Sequence, residues 1–215
     1  MLFKKNQTII FVGDSITDCG RVKPAGEGCL PGSPYGNGYV ALSFAYLHAQ
    51  YPHLHLRIIN QGTDGDRSTD LLLRYSDILL YKPDWVVMMI GVNDVWRYFD
   101  CPGMKDIHVD CATYQQNLEA IVEQNKENKI KTIFLSPFIM EVNPQDPMRR
   151  KLDTYRSAMQ KLSEKYGLHY IDVQESFDLL LHEATSYEIS RDRIHPNIVG
   201  HMVIMKTLID YIETR

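Results

Sequence analysis

The sequence predicts a three-layer α/β/α sandwich built on a five-stranded, all-parallel sheet. Three observations point there. Short β-like apolar runs alternate with longer stretches of helical period, the mark of βαβ units whose sheet is covered on both faces. The composition is ordinary for a globular chain, 44% hydrophobic and 23% charged, which argues against disorder, collagen-like repeats and coiled coil. The length, 215 residues, fits one domain over 1–215 at roughly 150 residues per domain, long enough to bury a core without metal or disulfide staples.

Gln7 to Val12 reads as a first buried strand that stops at Gly13. A Gly/Pro-rich stretch runs from Cys19 to Gly38, and its Gly26 to Gly38 part is long, unpatterned and a candidate functional loop. Val40, Phe44 and Leu47 mark a helix, and Leu54 to Asn60 a second strand. Leu71, Leu72, Tyr75, Ile78 and Leu79 form one helical stripe. Pro83 precedes a third strand, Trp85 to Ile90, and Gly91 to Val109 reads as a loop. Asp110 is placed to cap a helix carrying Tyr114, Leu118, Ile121 and Val122. Ile130 to Leu135 is a fourth strand. A loop, Pro144 to Pro147, leads to a helix with Leu152, Tyr155, Met159 and Leu162 on one face, ended by Gly167. Leu168 to Ile171 is the fifth strand. A shorter helix over about Gln174 to Glu183, a loop from Ser190 to Pro196 and a last helix with Ile198, Met202, Met205, Ile209 and Ile212 complete the chain. Right-handed crossovers favour the strand order 2-1-3-4-5, which places a site beyond the carboxyl ends of the strands, at the switch point beside strand one.

Several function classes are disfavoured. The net charge is −4, so no basic excess exists to neutralise nucleic-acid phosphates. The longest apolar run, Trp85 to Ile90, is far short of the roughly 20 residues of a membrane span. Only Ile9 to Val12 follows the Lys4-Lys5 pair as an apolar run, so no signal peptide is read and a cytoplasmic protein is expected. Cys19, Cys29, Cys101 and Cys111 lack zinc-site spacing and read as four reduced thiols. His48, His53 and His55 read as surface histidines, and Arg149-Arg150-Lys151 as a solvated face.

The strand ends carry the chemistry. Gly13-Asp14-Ser15 follows strand one, Gly62-Thr63-Asp64-Gly65 follows strand two, and Gly91-Val92-Asn93-Asp94 follows strand three. Asp192-Arg193-Ile194-His195-Pro196 sits in a loop able to fold over the same edge. A serine hydroxyl needs a base to act as nucleophile, and His195 has a suitable titration range. Asp192, three residues earlier, is spaced to hold the other imidazole nitrogen. The amides of Ser15 and Gly62 and the Asn93 side chain supply three candidate oxyanion donors. Each piece alone reads as a turn or a helix cap; their joint order is what points to catalysis. No Gly-x-Ser-x-Gly elbow is present, so the α/β-hydrolase fold is not indicated.

These four blocks resemble those of the SGNH hydrolases, the GDSL-like esterases and lipases, and the similarity covers nearly the whole chain. The resemblance implies a flavodoxin-like sheet, Ser15 as nucleophile, His195 as base with Asp192 as its partner, an oxyanion hole of Ser15, Gly62 and Asn93, and no metal or other cofactor. Gly13 to Arg21, Asn93 to Arg97, Asp146 to Arg150 and His195 to Met202 look closer to one branch, intracellular bacterial esterases that deacetylate xylo-oligosaccharides. That branch implies an acetylated sugar as substrate and a homo-oligomer. The alternatives are a lysophospholipase or thioesterase on the same scaffold and a non-catalytic carbohydrate-binding domain.

Asp14, Asp64, Trp96 and Arg97 form the candidate substrate-binding set. Where Asp64 stands, small residues are commoner in the family, and an acid there would lie beside the oxyanion hole. Trp96 suits either a stacking shelf for a sugar or a packing role, and Arg97 either substrate or a pairing with Asp94 or Asp18 that holds the loop.

Overall fold

The computed structural model describes residues 1–23, 26–28 and 33–215. Five parallel strands form one sheet in the order β2-β1-β3-β4-β5. They are β1 (Thr8–Gly13), β2 (Arg57–Gly62), β3 (Trp85–Met89), β4 (Lys131–Leu135) and β5 (His169–Ile171). The first strands are nearly sealed: Ile9, Ile10, Phe11 and Val12 of β1 and Val86, Val87 and Met88 of β3 are each 0% exposed. Helices on both faces remove water from both sides of these strands, which explains their continuous apolar character.

Ten α-helices lie among the described residues: α1 (Ser15–Asp18), α2 (Tyr39–Gln50), α3 (Ser68–Leu73), α4 (Tyr75–Leu79), α5 (Val92–Asp100), α6 (Cys111–Glu127), α7 (Pro147–Tyr166), α8 (Val173–Leu180), α9 (Ser186–Ile189) and α10 (Ile198–Glu213). α10 packs on α2 and α8, whereas α6 packs on α3 and α7. The chain steps left from β1 to β2, then right through β3, β4 and β5. Right-handed crossovers therefore put α2 on one face and α3, α6 and α7 on the other.

Capping sets several starts. Asp110 Oδ1 accepts from the Thr113 amide, Asp146 from the amides of Met148 and Arg149, and Asp172 from that of Glu175. Gly167, with φ 64°, ends α7 in the left-handed conformation expected for it.

Some expected boundaries move. β2 begins at Arg57 because Pro52–Leu54 forms a 3-10 turn. The stripe from Leu71 to Leu79 is two helices broken at Arg74. The expected loop Gly91 to Val109 contains α5 and a 3-10 turn, Lys105–Ile107. Arg149 is not a solvated residue: it is 7% exposed and forks onto Asp178 at 2.7 and 2.8 Å. A partner 29 residues away leaves no local mark in the sequence. His53 and His55 are exposed, while His48 is half-buried against the carbonyls of Phe44 and Leu56. Cys19, Cys101 and Cys111 are free thiols, and Cys29 lies outside the described residues, as does part of the Gly26 to Gly38 loop. No helix among the described residues is long and apolar enough to cross a membrane.

Candidate active site

β1 delivers Ser15 to the carboxyl edge of the sheet. Asp14 caps α1, its Oδ1 accepting from the Ile16 amide at 3.0 Å, so Ser15 occupies the first helical position. Its amide hydrogen-bonds to none of the described residues, as the first turn of a helix leaves it.

The loop before α10 brings His195 over this edge. An isolated bridge between Ser190 and Pro196 closes the loop, and the Met140 amide donates to the Arg193 carbonyl at 2.8 Å. Ser15 Oγ stands 2.8 Å from His195 Nε2, and His195 Nδ1 stands 2.7 Å from Asp192 Oδ2. Asp192 Oδ1 accepts from the Ser190 hydroxyl and from the amides of Ile194 and His195 at 2.8–3.0 Å. Burial pushes the Asp192 carboxyl up, but the His195 side chain, these two amides and Ser190 together hold it well below the usual carboxylate range. An ionised Asp192 fixes the imidazole proton on Nδ1. Nε2 of the neutral ring is then an acceptor aimed at the Ser15 hydroxyl.

The Asn93 side chain is 1% exposed. Its Nδ2 donates to the Asp66 carbonyl at 3.0 Å, which leaves one of two amide hydrogens free. Next to it, Asp94 accepts both amide and hydroxyl hydrogens of Ser68 and ties the start of α5 to the start of α3. The turn from Gly62 to Asp66 is thereby held beside Asn93.

Gly62 requires a correction. Its amide donates to Asn60 Oδ1 at 2.9 Å, so it is not a free oxyanion donor. Its glycine identity follows from packing: a Cβ there would lie 2.2 Å from the Asp18 nitrogen. Gly65, three residues on, has φ +78° and open space around its Cα, a backbone that favours glycine. Its amide bonds to none of the described residues, and it adjoins Asp66, whose carbonyl holds Asn93. Both glycines are visible in the sequence; the Asn60 side chain decides which amide stays available.

The candidate substrate residues are not brought together. Asp14 is 1% exposed, and burial, reinforced by Asp94 and Asp66, pushes its carboxyl up to about 7. A sealed carboxyl cannot touch substrate. Asp64 is exposed, and its amide donates to Asp18 Oδ2. Trp96 is half-buried, its ring edge-on to His195 with centroids 5.6 Å apart. Arg97 lies over Trp96 and pairs with Asp100, three residues along α5, rather than with Asp94 or Asp18; helical spacing makes that partner nearest. Asp94 is taken by Ser68, and Asp18 by Lys23 at 2.8 Å.

The residue reading also missed His201 as a support of this edge. Its Nδ1 accepts from the Tyr39 amide at 3.2 Å, and its Nε2 faces Cys19 Sγ at 3.3 Å. Burial, with His195 nearby, lowers its imidazole to about 4, so it stays neutral at pH 7.

With this geometry in hand, the similarities to known proteins are informative. Residues 11–203 match the GDSL-like lipase/acylhydrolase family. An acetylxylan esterase of Geobacillus stearothermophilus is 39% identical over 210 residues, 97% of this chain and 95% of the relative. The crystal structure of Axe2, an acetylxylan esterase from that organism, superposes with a TM-score of 0.95 at 38% identity, covering 99% of this chain and 96% of Axe2. Solved catalytic mutants of Axe2 alter a serine, an aspartate and a histidine. LAE5, described as an alpha/beta hydrolase from the metagenome of Lake Arreo, Spain, gives a TM-score of 0.96 at 40% identity over 99% of this chain and 98% of its own.

Proposed function

The chain belongs to the GDSL-like lipase/acylhydrolase family and is an SGNH-type serine esterase, and from that premise we propose that it removes acetyl groups from acetylated xylo-oligosaccharides. Ser15 is the nucleophile, His195 the base and Asp192 its partner. The observation that carries this reading is the unbroken relay from Ser15 Oγ to His195 Nε2 at 2.8 Å and from His195 Nδ1 to Asp192 Oδ2 at 2.7 Å.

Ser15 Oγ attacks the acetyl carbonyl carbon as its proton passes to His195 Nε2. The carbonyl oxygen becomes an oxyanion that accepts from the Ser15 amide, Asn93 Nδ2 and the Gly65 amide, the last replacing Gly62. Collapse breaks the bond to the sugar oxygen, which leaves with the proton from His195. Water then attacks acetyl-Ser15 by the same route, giving acetate and free Ser15. Asp192 stabilises the imidazolium in both halves. Apart from the hydrolytic water, the chain's own residues supply every group in this scheme, so no cofactor is invoked. The xylo-oligosaccharide assignment draws on the acetylxylan esterase relatives. A cytoplasmic homo-oligomer acting on this small substrate, with neither nucleic acid nor membrane as partner, completes the proposal.

The test is acetate release from acetylated xylo-oligosaccharides, read by loss of acetyl mass, beside p-nitrophenyl acetate, butyrate and octanoate. Wild-type protein should deacetylate the sugars and prefer acetyl to octanoyl esters, and Ser15→Ala should abolish both activities with its melt unchanged. A preference for octanoyl esters, or turnover by Ser15→Ala, overturns the reading.

A further inference from the structure

Resting on the sugar-ester reading above, we infer that the depression between the C-terminal half of α5, the N-terminal end of α7 and the Asp192 loop is the subsite for the leaving sugar, with Phe99 as its stacking platform. The chemistry restricts where that sugar sits. His195 Nε2 must protonate the departing oxygen, so the alcohol half of the ester lies on the His195 side of Ser15, away from the oxyanion donors. A depression of about 200 Å³ adjoins the triad through Asp192 and Trp96, lined by these two with Phe99, Asp100, Asp146 and Arg193 among others. At about 30 Å³ per water it holds roughly seven waters, enough for one pyranose ring.

Trp96 does not present a free face to this space in the way Phe99 does. Its ring edge meets His195, and the Arg97 guanidinium stands 5.2 Å from its centroid. Phe99, three residues further along α5, is 42% exposed and faces the depression. An aromatic face left in water, in a depression that Asp192 of the triad also lines, is suited to the C–H face of a sugar.

The polar lining selects the ligand class. Asp100, Asp146 and Asp192 set three carboxylates against the single cation Arg193. Such a lining repels an anionic headgroup and suits a neutral polyol. Its groups are also already oriented: Asp100 pairs with Arg97, and Arg193 is held by Glu141 at 2.6 Å and Asp146 at 3.2 Å. Among the described residues only Nη1 of Arg193 is engaged by these acids, so its other N–H groups remain for sugar hydroxyls. Held donors and acceptors lose little freedom when they bind.

The experiment compares kcat/KM for an acetylated methyl xyloside with that for ethyl acetate, whose alcohol is too small to reach Phe99. In Phe99→Ala the ratio should fall roughly tenfold through KM, the worth of one aromatic stack, and Phe99→Tyr, which keeps the ring, should restore it. Methyl xyloside should also bind Ser15→Ala protein and perturb Trp96 emission, since the other tryptophan, Trp85, begins β3 at the opposite edge of the sheet. If wild-type protein deacetylates the xyloside and the Phe99→Ala ratio is unmoved, the subsite is wrong and the function stands. If wild-type protein hydrolyses ethyl acetate but neither binds nor deacetylates the xyloside, the sugar reading fails and takes the subsite with it.

Discussion

Asn60 Oδ1 accepts the Gly62 amide at 2.9 Å while Asn60 Nδ2 donates to the Thr17 carbonyl at 2.7 Å. One fully buried side chain therefore clamps the end of β2 to the short helix that begins with Ser15. Arg21 completes the clamp, its Nε donating to the Gly62 carbonyl at 2.8 Å. Gly62 is a packing residue at this joint, and Gly65 in the following turn is the residue with an available amide.

That distinction predicts two different costs. In Gly62→Ala the new Cβ lies 2.2 Å from the Asp18 nitrogen and 2.6 Å from the Thr17 carbonyl carbon, so backbone must move. A loss of about 3 kcal/mol or more is expected, a fall of roughly 6–12 °C in Tm. Gly65→Ala meets no atom within 4 Å and bears only the strain of φ +78°, about 1–2 kcal/mol. Thermal melts of both variants check this, and a lower melt for Gly65→Ala would contradict it.

The fold was legible because buried parallel strands write themselves as apolar runs, as Ile9 to Val12 and Trp85 to Met89 do. The order of the strands followed from handedness, the candidate Ser15 from its place at a strand end, and the candidates Asp192 and His195 from their three-residue spacing in a loop able to reach that edge. Asn93-Asp94 alone reads as a helix start, yet α5 falls within the expected Gly91 to Val109 loop; what the sequence does not mark is that both residues are buried, each with a partner outside the helix, Asp66 and Ser68. The choice between Gly62 and Gly65 depends on one side-chain hydrogen bond, and the place of Arg149 on an acid in a distant helix. Neither leaves a periodic trace.

Asn93→Ala should lower kcat by about 10²–10³ with little change in KM. The free Nδ2 hydrogen is directed by the bond its partner hydrogen makes to the Asp66 carbonyl, so the donor is oriented before substrate arrives. Steady-state kinetics on p-nitrophenyl acetate decide it. A change confined to KM would place Asn93 in ground-state binding instead.

Asp192→Asn tests the tautomer. Asp192 Oδ1 already takes hydrogens from Ser190, Ile194 and His195, so the asparagine oxygen should settle there and turn its NH₂ toward His195 Nδ1. The imidazole proton would then move to Nε2, which could no longer accept from Ser15. A fall in kcat approaching about 10⁴ is expected, with an unchanged circular dichroism spectrum. Activity within tenfold of wild type would remove Asp192 from the relay.

The buried Asp14 carboxyl makes the fold less stable as pH rises through the acid range. Its ordinary value is 3.8, and burial, with the nearby charges of Asp94 and Asp66, raises it to about 7 in the folded chain. Between these values the unfolded chain has released the proton and the folded chain retains it. Stability is therefore complete below about 3.8, declines as pH rises toward about 7, and levels off above. Asp94, raised to about 6 chiefly by burial, acts with the same sign. Asp192 acts oppositely, its stabilisation present at neutral pH and lost only in strong acid, below the usual carboxylate range. Asp14→Asn keeps an oxygen for the Ile16 amide, which Asp14 Oδ1 now accepts at 3.0 Å, and removes the charge. The variant should melt above wild type at pH 8 and close to it at pH 4. Paired melts at the two pH values read the effect as a difference of differences, so an unrelated packing change, which would shift both pH values equally, is separated from the buried charge; an equal shift at both would show that the charge at Asp14 carries no such cost.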